Sequence, residues 1–250
     1  MFFKKLLVLI VIVLVGCKSL VIPNDFVYKE IKTNTFKLAS WQKITNPGGR
    51  FKIYIEGDGA SFDAYGMPTK NPTPKSNLVR ELAFGDYNEN VVYLARPCQF
   101  VKDELCSQRH WTTARFSPEV VTASYEAIKQ IAQNNEVVLV GFSGGAQVAG
   151  LVSVVNEKLN VKKIITIGGN LDHLAWTTYH NLMPLVESLN LENYRNEFMK
   201  IEQKHYVGKK DKVIPMSLVY DFVKNDNLIE QVKASHNDGW DIIFDKIWAE

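Results

Sequence analysis

A serine stands among glycines at the end of an apolar run in the stretch EVVLVGFSGGAQVAGLV, residues 136–152. The short, continuously apolar run Val137–Val140 predicts a parallel strand that is covered on both faces. The GFSGG sequence around Ser143 follows the G-x-S-x-G pattern, which fits a sharp strand-to-helix turn that exposes a serine hydroxyl. Free N–H groups at the head of the next helix favour negative charge, as a nucleophile and an oxyanion require. An ordinary glycine-rich turn is the alternative, so the partners of Ser143 must decide.

Two further residues have the chemistry to activate this serine. A serine hydroxyl is a poor nucleophile until a neighbouring imidazole removes its proton. His236, in ASHNDGW between the last predicted strand and the last predicted helix, is the candidate base and later proton donor. Asp211, in GKKDKVIP after an earlier predicted strand, would hold the other imidazole nitrogen. Asp172, which follows the strand before that one, is the alternative acid.

These three motifs together resemble the α/β-hydrolase family. GFSGG is similar to its nucleophile elbow, GKKDKVIP matches the G-x-x-D-x-V-x-P pattern around its acid, and the order serine, acid, histidine is the family's order. The match extends from about Phe51 to the end of the chain. It implies a serine hydrolase that cleaves an ester, thioester or amide through an acyl-enzyme on Ser143, with Asp211 and His236 as partners. A small carboxylic ester is the favoured substrate, and the resemblance implies no cofactor.

The resemblance also implies an oxyanion hole, which needs two backbone donors. One is the N–H of Gly144, directly after the nucleophile. The other lies in the loop after the predicted strand Phe51–Ile55, where the family often has His-Gly and this sequence has EGDG. By position the donor is Asp58, with Gly59 as the second choice. A carboxylate at this place must be turned away or paired, and Arg96 is a candidate partner.

Two other functions remain open from the sequence. The same triad serves acyl transfer or peptide hydrolysis, and a non-catalytic envelope or binding protein can keep the fold without turnover. The stretches YLARPCQ and NLDHLAWTTYH, residues 93–99 and 170–180, resemble segments of uncharacterised bacterial α/β-hydrolase lipoproteins. Four side chains belong either to the substrate pocket or to the core: Trp111, Trp176, Tyr179 and His180.

The N-terminus, MFFKKLLVLIVIVLVGC, predicts export. Its apolar run Leu6–Val15 is shorter than the roughly 20 residues of a spanning helix, and two lysines precede it, as in a signal peptide. Residues 14–17, LVGC, resemble the bacterial lipoprotein box, in which the chain is cut before the cysteine and the cysteine carries a lipid. We therefore predict a signal peptide at residues 1–16, a lipid on Cys17, a tether at 17–25 and a hydrolase domain at 26–250. An ordinary signal peptide or an uncleaved anchor helix is the alternative.

Export also bears on location and on the remaining cysteines. Lys18, rather than aspartate, follows Cys17, which favours the outer membrane of a bacterial envelope, facing the periplasm. Cys98 and Cys106 then lie in an oxidising compartment, where a close pair is predicted to be bridged. Two thiols with only His110 nearby match no common zinc spacing, so no metal site is expected.

Composition and element order set the framework for these residues. A chain of 250 residues with 46% hydrophobic content can bury one sizeable core in one domain, expected to be monomeric. The net charge of +2 predicts no basic patch of the kind that binds nucleic acid. A strand hairpin followed by strands alternating with helices predicts an α/β fold with a mostly parallel, doubly wound sheet and helices on both faces. Only Leu171–Lys200 has room for a lid, which would be minimal, and a helix is predicted over Gly239–Ala249.

Overall fold

The computed structural model describes residues 20–155 and 159–250. Its sheet has eight strands in the spatial order β1-β2-β4-β3-β5-β6-β7-β8. Strand β2 is antiparallel to both of its neighbours, β1 and β4. The other neighbouring pairs, in the order β4-β3-β5-β6-β7-β8, are parallel. The strands are β1 (Val27–Lys32), β2 (Lys37–Ile44), β3 (Phe51–Ile55), β4 (Asn90–Leu94), β5 (Val137–Phe142), β6 (Val161–Ile167), β7 (Glu202–Gly208) and β8 (Ile229–Val232).

Helices connect the parallel strands and cover the sheet. They are α1 (Leu78–Gly85), α2 (Pro118–Ala132), α3 (Gly144–Val154), α4 (His173–Tyr179), α5 (Arg195–Phe198), α6 (Met216–Val223) and α7 (Phe244–Trp248). Along β5, Leu139 points into the core under α2, α3 and α6, while Val138 and Val140 point into the core under α1 and α7. This alternation buries both faces of the strand, as a continuously apolar run requires. The predicted mostly parallel, doubly wound sheet is confirmed.

The C-terminal helix is shorter than the predicted Gly239–Ala249. Gly239 has φ +83°, which a helix start cannot use. Trp240 is fully buried, and a 3-10 turn, Asp241–Ile243, precedes α7. The residues before α7 therefore form the loop that carries His236, because the buried indole anchors it.

The predicted signal peptide and Cys17 lie outside the described residues, as do the first residues of the tether. Within the described ranges, no helix combines the length and the apolar character that are needed to cross a bilayer.

The predicted bridge between Cys98 and Cys106 is present, with Cα atoms 5.6 Å apart. The bridged loop follows β4 and contains two residues with left-handed backbone, Cys98 at φ 70° and Phe100 at φ 61°. Non-glycine residues rarely adopt this conformation, so the contacts around the loop must stabilise it. The bridged loop begins two residues after Arg96, whose side chain pairs with Asp58.

Candidate active site

The turn between β5 and α3 holds Ser143 in a strained conformation. Its φ of 51° and ψ of −122° lie in a region that residues with a side chain rarely adopt. Two backbone hydrogen bonds secure the turn: the N–H of Ser143 donates to Ile167 O (3.1 Å), and its carbonyl accepts from Asn170 N (3.0 Å). A Cβ at Gly145 would lie 2.3 Å from Ile55 O, so only glycine permits this approach of helix to strand. The residues of this turn therefore position the hydroxyl of Ser143 at the end of β5.

A continuous chain of hydrogen bonds joins the three predicted residues. His236 Nε2 lies 3.0 Å from Ser143 Oγ, and His236 Nδ1 lies 2.8 Å from Asp211 Oδ2. We assign the ring proton to Nδ1, because the carboxylate beside it can only accept. Nε2 is then free to accept the serine proton, as a general base must.

The sequence around Asp211 fixes its carboxylate. Oδ1 accepts from the N–H groups of Val213 and Ile214, both at 2.8 Å, and leaves Oδ2 for the imidazole. The side chain is fully buried, in the tight turn between β7 and α6. The imidazole is fixed in turn: the indole N–H of Trp240 donates to His236 O (3.0 Å), and the ring of Phe142 lies 5.0 Å from the histidine ring.

The alternative acid and another histidine have structural roles instead. Asp172 caps α4, where Oδ1 accepts from Leu174 N (2.9 Å) and Ala175 N (3.1 Å). His205 is buried within β7 between Thr166 and Gln203, at 2.8 and 3.0 Å. Burial, together with the charge of Lys204, lowers the pKa of His205 to about 3, so its imidazole stays neutral.

The loop after β3 lies directly against Ser143, where an oxyanion hole would need to lie. A Cβ on Gly57 would lie 3.2 Å from Ser143 Cβ, and a Cβ on Gly144 would lie 2.1 Å from Asp58 Oδ1. Within residues 20–155 and 159–250, neither Asp58 N–H nor Gly144 N–H donates to another group of the protein, whereas Gly57 N–H donates to Glu56 Oε1 (3.0 Å). The assignment of Asp58 and Gly144 as the two donors remains a prediction.

Two arginines neutralise the carboxylate of Asp58. Arg96 Nη1 lies 3.3 Å from Oδ1, as the predicted pairing requires, and Arg115 Nη1 lies 2.6 Å from Oδ2. Burial alone would raise the pKa of Asp58, but the charges of Arg115 and Arg96 lower it below its usual value. The carboxylate therefore stays ionised, and its charge is directed to the guanidinium groups.

A second carboxyl group, that of Glu56, is buried directly before this loop. Its Oε2 accepts from the hydroxyl of Tyr93 (2.7 Å), and its Oε1 accepts from Gly57 N. Burial raises the pKa of Glu56 to about 7, although these two hydrogen bonds and the charges of Arg80 and Arg96 oppose the shift. Glu56, which directly precedes Gly57 in the sequence, thus titrates near neutral pH.

Exchange of Glu56 for glutamine is expected to change how stability depends on pH. In the wild type the folded Glu56 carboxyl holds its proton to about pH 7, whereas the unfolded one ionises near pH 4.5. The contribution of Glu56 to the free energy of unfolding therefore falls as the pH rises from 4.5 to 7. A shift of this size corresponds to about 3 kcal/mol. Because glutamine does not titrate, the stability of the variant relative to wild type should rise from pH 4.5 to 7 and then stay level. Urea unfolding across this range measures it, and a difference independent of pH would contradict the assignment.

A cavity of about 720 Å³ opens onto Ser143. Its wall includes the candidate nucleophile and base, the paired ions and two aromatic rings: Ser143, His236, Asp58, Arg115, Phe62 and Trp176. Of the other aromatic candidates, Trp111 is buried, and its indole N–H donates to Thr69 O (3.1 Å). Tyr179 is 56% exposed. Among the described residues, no cluster of three His, Cys, Asp or Glu side chains could hold a metal ion.

Comparison with known proteins rests on structure. No protein-family model matches the chain, and no curated protein matches it in sequence. An esterase from Pyrococcus furiosus superposes with a TM-score of 0.57 at 15% identity, covering 90% of this chain and 88% of that one. The thioesterase domain from the curacin biosynthetic pathway gives 0.60 at 10% identity, covering 90% and 98%. A serine hydrolase without a lid from Xanthomonas campestris gives 0.52 at 13% identity, covering 92% and 94%.

The chain has the α/β-hydrolase fold. The fold expected from the GFSGG turn and from the order of strands and helices is thereby confirmed. A fold of this kind carries many functions, so the activity must be argued from the site. The α/β-hydrolase sheet places Ser143, Asp211 and His236 after β5, β7 and β8, at one edge.

Sequence reasoning missed Arg115 as a site residue. It lies in the stretch before α2, 57 residues from Asp58 along the chain, and its local sequence TTARFSP has no pattern that indicates a site. Only the fold brings it to the cavity wall. Glu56 was visible in the EGDG loop, but its burial was not.

Proposed function

We propose that this protein is a serine hydrolase that cleaves a carboxylic ester through an acyl-enzyme on Ser143. The observation that carries the proposal is the chain of contacts from Asp211 through His236 to Ser143, with distances of 2.8 and 3.0 Å, at the wall of an open cavity. These distances are within the range that proton transfer in such a triad requires.

In the acylation half-reaction, Ser143 Oγ attacks the ester carbonyl while its proton passes to His236 Nε2. The carbonyl oxygen takes up the negative charge and is stabilised by the N–H groups of Gly144 and Asp58. When the C–O bond to the alcohol breaks, the imidazolium returns the proton to the leaving oxygen. The alcohol departs, and the acyl group remains on Ser143.

In the deacylation half-reaction, water takes the place of the alcohol. His236 removes a proton from the water as its oxygen attacks the acyl carbonyl, and the same two N–H groups stabilise the second oxyanion. Collapse of this intermediate releases the acid and returns the proton to Ser143. The buried carboxylate of Asp211 accepts from Nδ1–H and stabilises the imidazolium.

The ester is preferred to the amide for two reasons. An alcohol or thiol is a better leaving group than an amine, so cleavage of an ester demands less stabilisation of the transition state. Two of the structurally similar proteins are an esterase and a thioesterase. The segment between β6 and β7 holds the short helices α4 and α5, so we infer a small, accessible substrate.

Labelling with a fluorophosphonate probe tests the proposal, because only an activated serine reacts quickly. We expect one label per chain on Ser143 and turnover of short 4-nitrophenyl esters. A folded protein that takes up no label and turns over no ester would instead indicate a non-catalytic protein with this fold.

We further propose that the enzyme is anchored in a bacterial cell envelope by a lipid on Cys17. The support is the sequence LVGC after a short apolar run, about nine residues before β1 begins. Changing Cys17 to serine should abolish incorporation of a radiolabelled fatty acid, while Ser143→Ala should leave incorporation unchanged. Equal label in the Cys17 variant and the wild type would contradict the anchor.

A further inference from the structure

A buried guanidinium forms part of the cavity wall beside the proposed nucleophile. The side chain of Arg115 is only 6% exposed. Its Nε donates to Thr112 O (2.7 Å), and its Nη1 donates to Asp58 Oδ2 (2.6 Å). Its second terminal nitrogen, Nη2, donates to no protein group in the described part of the chain. An arginine has five N–H donors in a fixed plane, so Arg115 keeps donors for a ligand.

The charges around Arg115 do not balance. The single carboxylate of Asp58 faces both Arg96 and Arg115, which leaves one positive charge in excess. Glu56 interacts electrostatically with Arg96, but its carboxyl group is held by Tyr93 and Gly57 and makes no hydrogen bond to either arginine within the described ranges. Two buried cations that share one carboxylate are only partly compensated, and a bound anion would complete the pairing.

Two aromatic rings hold the guanidinium of Arg115 in place. The ring centroid of Phe62 lies 5.5 Å from it, and that of Trp176 lies 5.9 Å from it. Both distances are within the range of cation–π attraction. A rigid, planar guanidinium is suited to bind a carboxylate through two parallel hydrogen bonds. Phe62 and Trp176 line the same cavity, so apolar walls flank the proposed ion site.

The position of Arg115 relative to Ser143 makes it part of the same binding site. Arg115 holds Asp58, and Asp58 Oδ1 lies over the backbone of Gly144, next to Ser143. Lys75, a second cation, also lines the cavity. A substrate that fills the cavity from Ser143 can therefore place a charged end against Arg115.

We propose that Arg115 binds a carboxylate carried by the substrate, so that the preferred substrates of this enzyme are esters with an acidic group. The inference rests on the proposed function and names its substrate class. A charge-assisted hydrogen bond of this kind is expected to improve kcat/KM about ten- to a hundredfold.

Matched pairs of esters test this preference in the wild type. The first pair is mono-4-nitrophenyl adipate and 4-nitrophenyl hexanoate, with the charge on the acyl half; 4-nitrophenyl 6-aminohexanoate adds the opposite charge. The second pair is 4-carboxyphenyl butyrate and 4-carbamoylphenyl butyrate, with the charge on the alcohol half. We expect the anionic ester to be preferred in at least one pair, through a lower KM, and the cationic ester to be the poorest. Spontaneous hydrolysis is measured without enzyme and subtracted. Equal use of anionic and neutral esters in both pairs would overturn the proposal.

Variants assign the preference to Arg115. Because Arg115 also holds Asp58, Arg115→Met should slow all esters, and the informative quantity is the ratio of anionic to neutral kcat/KM. This ratio should fall to about one in Arg115→Met and be partly kept in Arg115→Lys. Arg109→Met is the matched control: Arg109 pairs with Glu119 and Glu187 at the surface, so its loss should leave the ratio unchanged. An unchanged ratio in Arg115→Met would refute the role of Arg115.

A measurement without turnover separates this proposal from the proposed function. In the Ser143→Ala background, which cannot hydrolyse these esters, monomethyl adipate should raise the Tm more than dimethyl adipate does, and this difference should vanish when Arg115→Met is added. If no ester is turned over and no fluorophosphonate label is taken up, the hydrolase assignment fails, yet the anion site is still detected by the Tm shift. If neutral esters are turned over but neither preference nor shift is seen, the anion site alone fails.

Discussion

Replacement of Ser143 by alanine is expected to abolish ester turnover, and replacement of His236 by alanine should do so almost as completely. The reason is the 3.0 Å contact between Ser143 Oγ and His236 Nε2, through which the hydroxyl loses its proton. In a triad of this kind the loss of either residue lowers kcat by about 10⁶-fold. Removal of the nucleophile also removes the site of fluorophosphonate labelling.

The double variant gives the sharper test. If Ser143 and His236 act as a unit, the combined loss in kcat should be close to that of either single variant rather than the product of the two. A combined loss equal to the product of the two single losses would mean that the histidine assists the reaction independently of the serine.

Ser153→Ala is the matched control for these variants. Ser153 lies in α3, the same helix that Ser143 precedes, and its hydroxyl donates to Gly150 O (2.6 Å). Its loss should leave both labelling and turnover unchanged. The Tm of Ser143→Ala should stay close to that of the wild type, since only one hydroxyl is removed. Retained turnover in a folded Ser143→Ala protein would exclude Ser143 from the mechanism.

Local sequence was sufficient for the parts of the site that are set by the ends of strands. Ser143, Asp211 and His236 each follow a strand, and the carboxyl ends of parallel strands share one edge. The residues that make these turns, such as Gly145 at its 2.3 Å approach to Ile55 O, lie next to the functional residue in sequence. A short pattern therefore encodes both the turn and the side chain that it presents.

The remaining features depend on contacts between distant segments, and no local pattern encodes them. Arg115 reaches Asp58 across 57 residues because the stretch before α2 folds over the loop after β3. The pKa of Glu56 depends on burial, which is a property of the packed cavity wall and not of the EGDG sequence. The predicted C-terminal helix was wrong in extent because Trp240 is needed in the core, where it also fixes the loop of His236.

Replacement of Asp211 by asparagine tests the third member of the proposed triad, and we expect kcat to fall about 10³–10⁴-fold. Asparagine can still accept from the N–H groups of Val213 and Ile214 through its carbonyl oxygen, so the turn between β7 and α6 should persist. Its amide group, however, would face His236 Nδ1 as a donor. The imidazole then favours the tautomer with its proton on Nε2, which cannot accept the proton of Ser143.

Asp172→Asn is the matched exchange at the alternative acid. Asp172 caps α4 by accepting from Leu174 N and Ala175 N, and asparagine caps a helix about as well as aspartate does. We therefore expect kcat to stay near the wild-type value and stability to fall by about 1 kcal/mol or less. Measurement of kcat and Tm for both variants decides between the two acids. If Asp172→Asn is inactive while Asp211→Asn keeps its turnover, the catalytic carboxylate follows β6, and the 2.8 Å contact between Asp211 and His236 is structural only.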